Sequence, residues 1–229
     1  MDVDALREAY ARARESVDTA AGVSGRAPGS VGIVVAGKYI EPGEASALVE
    51  AGIEVVGENR LQDLEAKRAE VGDALVFDFI GHLQRRKVRD VLANTRLIHS
   101  VDSARLAAEI AKRAAGAVRV LVEVNIAGEL TKGGIVAAQI PAFVEEISCH
   151  PDLEIGGLMA MPPAVTDPDD NRVHFAAARA LRDDLRDRWA GRHGFEELSM
   201  GTSQDYVVAV EEGATMVRVG RGLIDGARR

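Results

Sequence analysis

Cysteine is almost missing from this 229-residue chain, with Cys149 standing alone. A single cysteine forms no intramolecular disulfide and no thiolate metal cluster, so a disulfide scaffold is excluded. Aromatic residues make up only 4% of the chain, which leaves little to stack on bases. Acidic residues outnumber basic ones by 36 to 28, a formal charge of −8. That balance argues against a nucleic-acid-binding surface, although a local basic patch still suits a phosphate. No apolar run approaches the roughly 18 residues of a membrane span. The first residues, Met1, Asp2, Val3 and Asp4, carry no basic and apolar leader pattern. A cytoplasmic protein with no membrane or nucleic-acid partner is the expectation. The five histidines contain no H-E-x-x-H and no i, i+4 pair, so no metal site is indicated. His150 and His193 read as surface residues near helix ends.

What is present is a regular alternation. Val3, Leu6, Tyr10, Ala13 and Val17 recur at helical spacing, which predicts an N-terminal amphipathic helix. Short apolar runs follow at 31–38, 53–56, 75–80, 96–99, 118–124, 153–161, 195–200 and 215–220. Each reads as a strand, and helix-period segments closed by glycine or proline separate them. Alternation with short connections implies a parallel sheet with helices outside. Eight such units in this length predict an α/β fold, a single (β/α)8 barrel domain over residues 1–229 with an extra N-terminal helix. A doubly wound open sheet is the alternative, because strand order is not readable from sequence.

In a barrel the chemistry gathers at the C-terminal ends of the strands. Those ends carry Lys38, Asn59, His82, His99, Asn125, Met161, residues 199–203 and residues 218–222, a polar set on otherwise apolar strands. Lys38 closes the buried run that begins at Val31. Most strand-end lysines simply reach solvent; a desolvated one has a lowered pKa and can form an imine. Gly220 and Gly222 make a turn whose amides can approach an anion, and the loops after the last two strands are where barrels hold phosphate. Gly32 to Lys38 formally matches the start of a P-loop. Tyr39 stands where that motif needs Ser or Thr, and the intervening residues are strand formers.

Six motifs in order carry a resemblance: Gly57–Glu58–Asn59; residues 81–84, Gly-His-Leu-Gln; residues 98–103, Ile-His-Ser-Val-Asp-Ser; residues 157–163, Gly-Leu-Met-Ala-Met-Pro-Pro; residues 198–201, Leu-Ser-Met-Gly; and residues 216–220, Met-Val-Arg-Val-Gly. Together with the strand-end lysine they resemble the pyridoxal phosphate homeostasis proteins, relatives of the barrel domain of alanine racemase, over residues 30 to 226. The resemblance implies pyridoxal 5′-phosphate held as a Schiff base on Lys38, with Arg218 facing the pyridine nitrogen. It implies Ser203 and the backbone of Gly220 and Arg221 around the phosphate, Ser199 nearby, and Met200 and Asn59 near the ring. Four places depart from the family pattern: Gly37 replaces a frequent serine, Arg86 an asparagine and Arg221 a threonine. Residues 202–205, Thr-Ser-Gln-Asp, replace Met-Ser-x-Asp.

An arginine only donates hydrogen bonds, so Arg218 would keep the pyridine nitrogen unprotonated and the ring a poor electron sink. The expected function is therefore a non-catalytic carrier of the cofactor in vitamin B6 homeostasis. It would be a monomer, with apo-enzymes that use the cofactor as partners. An amino-acid racemase of the same fold is the first alternative. A racemase needs a second base, which a separate C-terminal domain supplies in alanine racemase; this chain ends at Arg229 and has only Tyr10, Tyr39 and Tyr206. A Schiff-base aldolase is the second alternative, although imine-forming lysines in aldolase barrels usually sit on later strands.

Overall fold

Successive side chains of a strand point to opposite faces, and here both faces are apolar. In a computed structural model that describes residues 1–129 and 131–228, the runs form β1 (Gly32–Ala36), β2 (Val55–Glu58), β3 (Val76–Phe79), β4 (Leu97–Val101) and β5 (Val118–Asn125). They continue as β6 (Ile135–Val136), β7 (Leu153–Ala160), β8 (Glu197–Thr202) and β9 (Met216–Val219). All pairings are parallel. β1 to β5, then β7, β8 and β9 follow one another, and β9 returns to β1, which closes an eight-stranded barrel. β6 is an addition outside the ring, pairing with the end of β5. Two residues are too few for any periodicity to reveal it.

Helices fill the connections: α1 (Val3–Val23), α2 (Ala45–Glu50), α3 (Leu61–Val71), α4 (Val88–Asn94) and α5 (Ala104–Arg113), then α6 (Ile140–Ile147), α7 (Arg172–Arg188), α8 (Tyr206–Glu211) and α9 (Arg221–Ala227). Asp2 caps α1 by accepting from the amides of Asp4 and Ala5, which satisfies two orphan donors. α1 packs on α8 and α9, with Leu6 and Val17 fully buried, each worth about 1.5–3 kcal/mol. The glycine-rich stretch after β9 is helical rather than an open turn. Leu223, Ile224 and Ala227 bury the inner face of α9, and that packing outweighs the poor propensity of Gly222 and Gly226.

The strand alternation sorts the core into two layers. Ile33, Val35, Val56, Phe77, Phe79 and Ile98 belong to the layer between barrel wall and helices. Val34, Leu97, Leu121, Met159 and Met216 form a separate plug inside the barrel, with Val55 and Ile80 against it. The eighth strand begins at Glu197, later than its apolar run suggests, because Phe195 adopts a left-handed backbone with φ 46°. His193 is buried, not at the surface: it lies edge-on to Phe195 and tilted against Trp189. Its Nδ1 accepts from the Ile155 amide and its Nε2 faces Ser148 Oγ at 2.8 Å.

A buried ion pair ties the first two strands together. Lys67 of α3 donates to Glu58 Oε1 at 2.6 Å and to the Gly37 carbonyl at 3.1 Å, and both charged groups are sealed from water. Burial pushes the Glu58 carboxyl up and Lys67 opposes it. A Cβ at position 37 would stand 1.9 Å from Glu58 Oε1, so glycine there is what lets the pair close over the end of β1. Lys67→Met, which strands the Glu58 carboxylate, is expected to cost about 3–5 kcal/mol in denaturant unfolding, and a Glu58→Leu/Lys67→Met double variant clearly less.

Burial lowers His193 to about 4, helped by Arg192. The unfolded chain therefore takes up the proton first, and stability falls as pH drops from about 6.5 through the folded value. Thermal unfolding across that window should show the loss, and His193→Gln should flatten it.

Candidate functional site

Above the plug, at the C-terminal ends of the strands, a cavity of 380 Å³ opens, a size suited to a small ligand. Lys38, Asn59, Ser203, Arg218, Gly220 and Arg221 all line it. Thus six of the eight residues singled out from sequence converge from four strand ends. Tyr39, Gly81, Met161, Thr202 and Gln204 complete much of the wall. Ser199 and Met200 are not in the lining. Ser199 is fully buried directly behind Arg218. Met200, its neighbour along β8, points the other way and is fully buried in the outer apolar layer.

Lys38 sits on a single 3-10 turn, Gly37–Tyr39, just after β1. It is exposed at the cavity rather than buried, so a desolvated ammonium is not what the strand end presents. Its Nζ lies 5.0 Å from the Tyr39 ring centroid, and the Arg221 guanidinium lies 5.7 Å from the same ring. A Cβ on Gly220 would meet that ring at 2.7 Å, so Tyr39 can lie across the last strand only because position 220 has no side chain.

Arg218 is the buried charge of the site. Nη1 donates to the Ser199 carbonyl at 2.8 Å and to Ser199 Oγ at 2.6 Å; Nη2 donates to the Ala160 carbonyl at 3.0 Å. Burial pulls it down to about 10, with Asp205 and Glu123 opposing, so it remains a cation at neutral pH. Three of its five N–H groups are used, which leaves two unspent on a side chain that lines the cavity. Asn59 Oδ1 is buried with no hydrogen-bond partner among the described residues. Ser203 Oγ accepts from the Gly220 amide at 3.0 Å and keeps its own proton to donate. Asp205 holds this loop by accepting from Thr202 and Asn171.

The other polar strand ends do different work. His82 is exposed, with Nδ1 3.3 Å from Asp102. Asn125 braces its own loop through two bonds to the Glu129 backbone. His99 lies beneath the cavity, fully buried, with Nδ1 3.0 Å from Ser199 Oγ and Nε2 3.2 Å from Asp78 Oδ2. Arg96 grips Asp78 from the other side with bonds of 3.0 and 2.7 Å. Sequence reasoning missed Asp78 and Arg96. The available signal was a charged residue between Phe77 and Phe79 in an apolar strand.

The family model described as alanine racemase, N-terminal domain, matches residues 40–226. A pyridoxal phosphate homeostasis protein of Aquifex aeolicus is 37% identical over 226 residues, which is 97% of this chain and 98% of its own. The crystal structure of an unknown protein from Bifidobacterium adolescentis superposes with a TM-score of 0.87 at 33% identity, covering 96% of this chain and 95% of that one. The structure of PipY of Synechococcus elongatus with PLP bound superposes with a TM-score of 0.81 at 30% identity, covering 95% and 99%.

Proposed function

The chain belongs to the alanine racemase N-terminal-domain family, and within it to the pyridoxal phosphate homeostasis proteins; on that premise we propose that it binds pyridoxal 5′-phosphate in the cavity above the plug and serves vitamin B6 homeostasis without catalysing a reaction. The observation that carries the reading is Arg218. A buried cation with two unspent N–H groups facing a small cavity calls for an acceptor, and the pyridine nitrogen is one. The orphaned Asn59 Oδ1 accepts from a donor on the ring side. The Ser203 hydroxyl and the Arg221 amide face the phosphate, and the Gly220 amide, which donates to Ser203 Oγ, holds that hydroxyl in place. Lys38 supplies the amine for a Schiff base with the aldehyde, and its exposure leaves it free to reach the ligand. The bound group would bring an aldehyde and a conjugated ring. Arg218 cannot protonate the ring nitrogen, which leaves the ring a weak electron sink. Ser199 acts through Arg218, and Met200 shapes the wall from behind.

In this reading residues 1–229 are one cofactor-binding barrel domain, monomeric and cytoplasmic, that hands the cofactor to apo-enzymes. The names of the relatives support homeostasis rather than turnover. Racemisation is the second reading, because the matching family model takes its name from alanine racemase. Titration with pyridoxal phosphate should give a near-visible imine band that saturates at one equivalent in the wild type and is absent in Lys38→Ala. Alanine racemisation should stay far below ordinary enzyme rates of about 1 per second or more. A wild type that develops no band contradicts the binding reading, and turnover at such rates contradicts the non-catalytic one.

A further inference from the structure

The polar groups under the cavity floor form one connected chain across the barrel interior, from Arg96 through Asp78, His99 and Ser199 to Arg218. Donors and acceptors along it are not interchangeable. Both arginines only donate. Ser199 Oγ receives the Arg218 Nη1 proton, so its own proton must go elsewhere, and His99 Nδ1 is 3.0 Å away. His99 Nδ1 is then an unprotonated acceptor and the ring proton sits on Nε2, where Asp78 Oδ2 accepts it at 3.2 Å. The opposite tautomer turns an imidazole lone pair toward the Asp78 carboxylate. It also pushes an N–H at the oxygen that Arg218 already uses.

We propose that Asp78, His99 and Ser199 are positioning residues: they lock His99 as the neutral Nε2–H tautomer, so that the Ser199 oxygen stays turned to Arg218 and the guanidinium stays aimed into the cavity. Asp78 anchors one end as an anion gripped by Arg96, Arg218 is the cation at the other, and two neutral groups carry the hydrogen bonds between them. Asp78, Arg96, Ser199 and Arg218 are the groups that face or flank the imidazole. Burial lowers His99, and Arg218 and Arg96 add to that against the pull of Asp78, so the ring stays neutral at physiological pH. The consequence for the cofactor rests on the binding reading above; the tautomer does not.

The test begins with the unliganded protein labelled with ¹⁵N in its histidines. Two-dimensional NMR should show His99 neutral at neutral pH, protonated on Nε2, with any titration below the ordinary histidine value. Titration near the ordinary histidine value, or a proton on Nδ1, overturns the proposal. In the second step, Asp78→Asn and Ser199→Ala should each weaken pyridoxal phosphate binding about tenfold, the loss of one hydrogen bond to a charged group. Asp78→Asn should also release the His99 tautomer. Ser199→Thr, which keeps the hydroxyl, should restore most of the affinity. Ile147→Ala, in the outer apolar layer on α6, lies away from the chain and should lower stability while leaving affinity and tautomer unchanged. Unaltered affinity in both Asp78→Asn and Ser199→Ala contradicts the proposal. If the wild type takes up no cofactor, the functional reading fails and the tautomer measurement alone decides this one.

Discussion

A guanidinium held inside a barrel with no carboxylate in contact among the described residues is the constraint on which this site depends. Desolvating such a charge is costly, and the fold offsets the cost with three neutral acceptors, two carbonyls and a hydroxyl, drawn from β7 and β8. Those acceptors use only three of the five N–H groups of a guanidinium that lines the cavity. A directly paired carboxylate would stabilise the empty protein better and leave less for a ligand. In the binding reading proposed above, the arrangement trades stability of the unliganded barrel for recognition.

A second constraint governs the other side of the cavity. Lys38 is presented by a single turn, and a turn at a strand end frays unless something fixes it. Lys67 and Glu58 supply that fixation from below, through the Gly37 carbonyl. The glycine that departs from the family pattern is thus the residue that gives the buried pair its space. Of the other departures, Arg86 is exposed and bonded to Gln84, whereas Arg221, beside the Tyr39 ring, and Thr202 and Gln204 stand in the cavity wall.

The barrel was legible in the sequence because eight apolar runs alternate with helical periodicity, and strand ends follow from the breakers around them. Which face of each strand looks inward was not legible. Parallel strands in a barrel are buried on both sides, so apolar residues at neighbouring positions carry no signal. Ser199 and Met200 must point to opposite faces, but which of the two looks inward could not be assigned, and His99 could not be placed under the cavity rather than in its wall. Asp78 shows the exception, since a carboxylate between two phenylalanines must find a partner. The left-handed backbone at Phe195, the two-residue β6 and the helix over Gly222 and Gly226 are set by tertiary packing, which overrides local propensity.

Reduction with borohydride after loading with pyridoxal phosphate, followed by peptide mass mapping, tests the account most directly. A single adduct on the peptide that contains Lys38, with other lysines unmodified, is the predicted result. An adduct scattered over surface lysines, or concentrated on one outside the cavity, would contradict it.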